Sequence, residues 1–223
     1  MTSSERRPPR RSSLLAAPSS GWGLLAVIAA GIVAVTAIAA ATGVLPGEAA
    51  LRAVVRGVSS AELRRLARTI RPLGTWWGIV PGVLLLLATS RHARRRWWLW
   101  GAVLVVAPLI GEALQELVGR LRPQGSALGF PSGHATAVSA FAVTTIYLVG
   151  RSGLPRAVRL AIEAGVCLLT LAMGLSRMVL DAHWPLDVVA GFALGAFGAA
   201  GAAWWDASHP PAPSGAARRG GEA

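Results

Sequence analysis

The chain has 223 residues, 53% of them hydrophobic, a mean hydropathy of +0.53, and a net charge of +12 whose basic side is arginine alone. That length suits one domain or one bundle, and that apolar content excludes an ordinary soluble domain. The arginines sit between apolar runs instead of lining one soluble face, which favours membrane topology over nucleic-acid binding, and the single cysteine, Cys167, allows no intrachain disulfide.

In chain order, residues 1–20 are rich in Arg, Ser and Pro and read as a disordered cytoplasmic tail. The apolar run Gly21 to Thr42 is long enough to span a bilayer, and further spans follow, so it is not read as a cleaved signal peptide. Gly43 to Gly74 is more polar. Ser59 and Glu62 match a capping box, and Leu63, Leu66 and Ile70 recur at helical spacing. This predicts an amphipathic interfacial helix with Arg64, Arg65, Arg68 and Arg71 toward water or headgroups. Span two, Thr75 to Thr89, is short and carries Pro81-Gly82 as a kink. A basic loop, Arg91 to Arg96, precedes span three from Trp97 to Val118. Span four runs from Pro131 to Val149, an arginine-bearing turn from Arg151 to Arg159, span five from Val158 to Leu175, and span six from Pro185 to Trp205. Residues 206–223 read as a second disordered tail.

The expected fold is therefore all-α: a six-span transmembrane helix bundle over residues 21–205, with an interfacial amphipathic helix between spans one and two. Trp22, Trp76, Trp77, Trp97, Trp98, Trp184, Trp204 and Trp205 fall near predicted span ends, as an aromatic belt requires. Six crossings put both termini on one side. The arginines of the N-terminal tail, of Arg91 to Arg96 and of Arg151 to Arg159 share that side, which the positive-inside rule makes the cytoplasm.

Polar clusters gather at the other end. Asp187 lies in the first turn of a helix opened by Pro185, four residues after His183, so its carboxylate is placed to hold one imidazole nitrogen. The other nitrogen is then free to act as base or nucleophile. Two crossings need about 40 residues, and 42 residues separate His134 from Arg177. The chain goes over and back, and both return to one face with Arg122. Two histidines, several arginines and an aspartate suit phosphoryl transfer, in which positioning and electrostatics supply most of the catalysis. Arg122 and Arg177 offer forks for phosphate oxygens, and Ser132 and Gly133 open a helix whose free N–H groups favour an anion. His183 can attack phosphorus and His134 can protonate the departing oxygen. No carboxylate cluster has metal-ligand spacing, so neither a catalytic metal nor another cofactor is expected.

Three blocks resemble the signature of the type 2 phosphatidic acid phosphatase superfamily. That signature is a Lys, six residues and Arg-Pro; then Pro-Ser-Gly-His; then Ser-Arg, five residues, His, three residues and Asp. Here the second block is intact at Pro131 to His134, and the third as Ser176, Arg177, His183 and Asp187. The first keeps Arg122-Pro123, but Gln115 stands at the Lys position. The resemblance implies a six-helix membrane bundle that dephosphorylates lipid phosphates or diphosphates through a phosphohistidine. It implies His183 as nucleophile, Asp187 as its partner, His134 as acid, and Arg122, Ser132, Gly133 and Arg177 as phosphate ligands. Gln115 is expected to face the same phosphate without a charge. The expected location is the plasma membrane, with the active site on the extracytoplasmic face.

Other polar residues have plainer readings. Glu116 and Arg120 are spaced for an ion pair, Asp181 reads as a solvated loop residue, and His92 and His209 as solvated in cytoplasmic segments. Gly191, Gly195 and Gly198 suit close helix packing. Two further functions fit the same residues. A lipid phosphotransferase would pass the group to another hydroxyl, and phosphate release without another acceptor separates it from a phosphatase. A non-catalytic membrane scaffold is suggested by Gln115, but it has no need of both histidines. Phosphatidate, phosphatidylglycerophosphate and polyprenyl phosphates or diphosphates all match as substrate.

Overall fold

The computed structural model describes residues 19–125 and 127–210. Most of the expected N-terminal tail and most of the C-terminal one therefore lie outside the described residues, while Ser19 and Ser20, read as tail, open the first helix. In order, the elements are α1 (Ser19–Ala41), α2 (Pro46–Val58), α3 (Ala61–Ile70), a 3₁₀ turn (Arg71–Gly74), α4 (Trp76–Thr89), α5 (Arg91–Arg95), α6 (Trp97–Val118), α7 (Gly133–Gly150), α8 (Arg156–Val179) and α9 (Pro185–Ser208). Among the described residues there are no strands, only an isolated bridge between Leu121 and Leu128.

Five helices are long and apolar enough to cross a membrane: α1, α6, α7, α8 and α9. A further candidate crossing is broken. With 14 residues, α4 is about 21 Å long, short of the ~30 Å hydrocarbon core. It joins the α3 segment through the 3₁₀ turn at a bend of 52°, and the pair together is long and apolar enough for a span. The chain is thus a multi-pass all-helical membrane protein, as its composition predicts.

The stretch from Pro46 to Ile70 is two helices where the sequence predicts one interfacial helix. Ser59 is not the cap of the second. Its hydroxyl bonds back to the Val55 carbonyl at 2.6 Å and its N–H to Arg56, closing α2. Capping passes to Ser60, whose Oγ accepts from the Leu63 N–H at 3.2 Å.

Packing centres on α9, against which α1 and α7 lie along much of their length. Glycines make the α7 contact possible. A Cβ on Gly195 would come within 2.2 Å of the Thr136 carbonyl oxygen, and one on Gly191 within 2.5 Å of that of Ser132. Gly198 has only ordinary contacts. The close approach lets Ser139 Oγ donate to the Phe192 carbonyl at 2.7 Å across the interface.

At the end away from the motifs, α9 runs past Trp205 to Ser208 and carries Asp206 into the interior. Asp206 accepts from His92 Nε2 at 2.6 Å and from the Tyr147 hydroxyl, and lies 3.1 Å from Arg96. His92, read from sequence as solvated, is tied to this carboxylate because α5 folds back over the end of α9. Trp22 and Trp100 pack on Tyr147 with ring centroids 5.4 and 5.5 Å away. A buried carboxylate needs partners, and the basic residues of α5 and its flank supply them.

Candidate active site

Three segments meet at the opposite end: the loop from Gly119 to Ser132 with the start of α7, the end of α8, and the loop from Leu180 into α9. Gly119 ends α6 with a φ of 64°, a conformation glycine adopts without strain. The chain then doubles back as a small hairpin. The Arg122 N–H donates to Ala127 and the Gly129 N–H to Arg120, at 2.9 and 2.8 Å. Arg122 Nε donates to the Leu128 carbonyl at 3.0 Å, which fixes the stem and leaves the rest of the guanidinium free to bind elsewhere.

The second and third motif blocks are stitched together by backbone. Ser132 N–H donates to the Asp187 carbonyl at 2.9 Å, so the N-terminus of α7 sits beside the first turn of α9. Ser176 and Arg177 lie on the last turn of α8, which continues to Val179 instead of stopping at Leu175. That added turn points a buried arginine into the end of the bundle. The guanidinium groups of Arg177, Arg71 and Arg122 and the imidazole of His183 act electrostatically on His134. The structure therefore brings His134, His183, Arg122, Ser132, Gly133, Arg177 and Asp187 to one end, as span parity predicts. Among the buried polar atoms without a hydrogen-bond partner are Ser132 Oγ, His134 Nε2 and Arg177 Nη2. Burying such groups costs free energy unless a ligand completes them.

His183 is oriented by a residue that sequence reasoning missed. Its Nδ1 lies 2.9 Å from the Gly129 carbonyl. A carbonyl only accepts, so Nδ1 carries the proton and Nε2 keeps its lone pair. The Asp187 carboxylate is beside the ring but 3.7 Å from Nδ1, beyond hydrogen-bond reach. Its oxygens go elsewhere. Oδ2 accepts from the Trp184 N–H at 2.9 Å, and Oδ1 from Arg120 Nη1 at 2.9 Å. Asp187 thus caps α9 and adds negative charge next to the imidazole. Gly129 eases this fit, since a Cβ there would sit 3.0 Å from Arg122 Cγ and 3.1 Å from Asp187 Oδ2, closer than ordinary contact.

Arg120 does not pair with Glu116. It turns inward between Asp187 and Glu48, the latter on α2. Tertiary placement overrides the helical pairing because Gly119 ends α6 before Arg120 can lie on its surface. Glu48 also accepts from the Leu45 and Leu186 N–H groups at 3.1 and 3.0 Å. A carboxylate shared by two helix starts and a buried arginine carried no sequence signal, because its partners lie 72 and 138 residues away.

Asp181 is likewise not free in solvent. Its φ of 57° turns the chain after α8, and both carboxylate oxygens are held by Arg52 of α2 at 2.6 and 2.7 Å. These bonds keep its carboxyl below the usual carboxylate range. Arg52 also lies over the Trp184 ring, 5.0 Å from its centroid. Gln115, near the end of α6, directs its amide Nε2 to the Pro131 carbonyl at 3.2 Å.

Residues 115–209 match the PAP2 superfamily. A decaprenylphosphoryl-5-phosphoribose phosphatase of Mycobacterium tuberculosis is 40% identical over 161 residues, covering 65% of this chain and 84% of that protein. The protein of the same name from Mycolicibacterium smegmatis is 36% identical over 115 residues, covering 47% of this chain and 57% of its own length. Among solved structures, a transmembrane PAP2 type phosphatidylglycerolphosphate phosphatase from Bacillus subtilis superposes with a TM-score of 0.66 at 21% identity, covering 84% of this chain and 95% of its own. LpxE of Aquifex aeolicus superposes at 0.54 with 19% identity, covering 68% of this chain and 92% of its own. At those identities the two structures speak for the fold.

Proposed function

The chain belongs to the PAP2 superfamily of membrane phosphatases and is a phosphoric ester hydrolase, and from that premise we propose that it hydrolyses a lipid phosphate through a phosphohistidine on His183. One observation carries the mechanism. Ser132 Oγ, His134 Nε2 and Arg177 Nη2 are buried without partners at the end that also holds His183. Polar groups left unpaired in this way suit a tetrahedral anion.

The chemistry then runs in two steps. His183 Nε2, left unprotonated by the bond from Nδ1 to Gly129, attacks phosphorus. An N–P bond forms, the P–O bond to the lipid breaks, and His134 gives the departing oxygen a proton. Arg122, Arg177, Ser132 and the N–H groups at Gly133 hold the phosphoryl oxygens as charge develops. His134 then takes a proton from water, which attacks phosphorus, releases inorganic phosphate and restores His183. Asp187 stabilises the positive charge the ring acquires, from 3.7 Å. Arginines supply the electrostatics, so activity should persist in EDTA.

The relatives from the two mycobacteria carry a name that specifies a decaprenylphosphoryl sugar phosphate. We take a polyprenyl-linked phosphomonoester as the substrate class, reached from the extracytoplasmic face of the plasma membrane. The test uses purified protein and a panel of lipid phosphates, with phosphate release and radiolabel trapping as readouts. His183→Ala should lose both turnover and trapped label. His134→Ala should retain trapped label with a phenolic leaving group, which needs little protonation. Label trapped on His183→Ala would overturn the nucleophile, and release of phosphate only when another hydroxyl acceptor is consumed would make the protein a transferase.

A further inference from the structure

Arg71 sits at the same end and has no part in the mechanism above. It opens the 3₁₀ turn between α3 and α4. That turn is pressed onto the two helices that carry His134 and Arg177. A Cβ on Gly74 would lie 3.3 Å from the Cβ of His134 and 2.9 Å from the sulfur of Met173, four residues before Arg177. The positive charge of Arg71 acts on both His134 and Arg177, as does that of Arg122.

Other arginines at this end are spoken for. Arg52 is held by Asp181, and Arg120 by Glu48 and Asp187. Among the described residues Arg71 has no ion pair and no side-chain hydrogen bond. Three arginines whose charges act on one another, none of them paired with a carboxylate, repel, and an anion relieves that repulsion. Gln115 cannot relieve the site as a cation would. It is neutral, and its amide is already donated to the Pro131 carbonyl.

We propose that Arg71 is the third phosphate-binding cation of this site, delivered from outside the motif blocks by the turn between α3 and α4, where Gln115 stands in place of the family's lysine. The charge of a transferring phosphoryl group spreads over three oxygens, and Arg122, Arg177 and Arg71 supply three forks. Arg71 is exposed, so it meets the phosphate from the solvent side, opposite the buried Arg177. The bend between α3 and α4 has a role in this arrangement: it sets the turn that carries Arg71 against the helix that carries His134.

The inference rests on the phosphatase reading, and the experiment separates the two. Wild type, Arg71→Gln, Gln115→Lys and the double variant are purified whole in one detergent. Each is measured for vanadate inhibition and for kcat/KM on a lipid phosphate the wild type hydrolyses. Arg71→Gln should raise the vanadate inhibition constant about tenfold and lower kcat/KM by a similar factor, with an unchanged melting temperature. Gln115→Lys should restore most of that loss in the double variant. A vanadate constant unmoved by Arg71→Gln overturns the inference, as does a loss that Gln115→Lys fails to restore. A wild type that releases no phosphate from any lipid phosphate overturns the phosphatase reading itself.

Discussion

Asp187 is held on both oxygens before it does anything for the imidazole. Arg120 and the Trp184 N–H fix it, and Glu48 fixes Arg120 in turn. All three charged groups are buried. A buried pair is weak evidence of net stability, but removing one partner leaves an uncompensated charge. Glu48→Gln should therefore lower stability by about 3 kcal/mol, read as a lowered melting temperature in detergent. It should also lower kcat, because an Arg120 left half-paired pulls on Asp187. An unchanged melting temperature would mean that Arg120 is satisfied by Asp187 alone. Gly129 makes a different prediction. Gly129→Ala places a methyl against Arg122 and Asp187, displacing the carbonyl that orients His183. Turnover should fall roughly tenfold, since misplacement of a reacting group by even ~1 Å is costly. The melting temperature should change little, and a large drop would reassign Gly129 to folding.

At the scale of elements, α2 is the clasp of the site end. Glu48 reaches the start of α9 and Arg52 reaches the turn after α8. The Arg52–Asp181 bond lies outside the spans, and it holds the Asp181 carboxyl below its ordinary range. A carboxyl lowered on folding contributes stability that is fully present above its unfolded pKa and lost as pH falls through the folded one. The contribution is therefore intact at neutral pH and disappears from about pH 4 downward. Wild type should lose protection of α2 from proteolysis over that window more steeply than Asp181→Asn, which lacks the pair at every pH. Parallel pH profiles for the two proteins would show that α2 is held by Glu48 without help from Asp181. At the α7–α9 seam no titration enters, and the contact is steric: two glycines let a serine hydroxyl reach across to a backbone carbonyl.

For the whole molecule, the two ends differ in kind. One gathers the motif residues and the clasp. The other holds the basic α5 segment, anchored by the buried Asp206. The orientation proposed above, with the basic end cytoplasmic by the positive-inside rule and the site outside, is open to a direct test. A cysteine at Gln124, in a Cys167→Ser background, should react with a membrane-impermeant thiol reagent on intact cells. The background matters because Cys167 is exposed on α8 and is the chain's one native thiol. Labelling that requires lysis would reverse the orientation and with it the assigned substrate face.

By itself the sequence determined five of the spans and the end at which the motif residues gather. Hydropathy marks α1, α6, α7, α8 and α9 because each must cover its own backbone in lipid, whatever its neighbours. Counting crossings then brings His134, Arg177 and His183 together without any contact being known. The tertiary structure decided what lies between residues distant in sequence: Gly129 on His183, Glu48 and Arg120 on Asp187, Arg52 on Asp181, His92 on Asp206. Helical spacing offered Glu116 as the partner of Arg120 and Asp187 as the hydrogen-bond partner of His183. Neither bond forms, because a local pairing rule knows only residues three or four apart. A charge drawn into the interior takes the partner that best replaces its water, wherever the fold has put that partner.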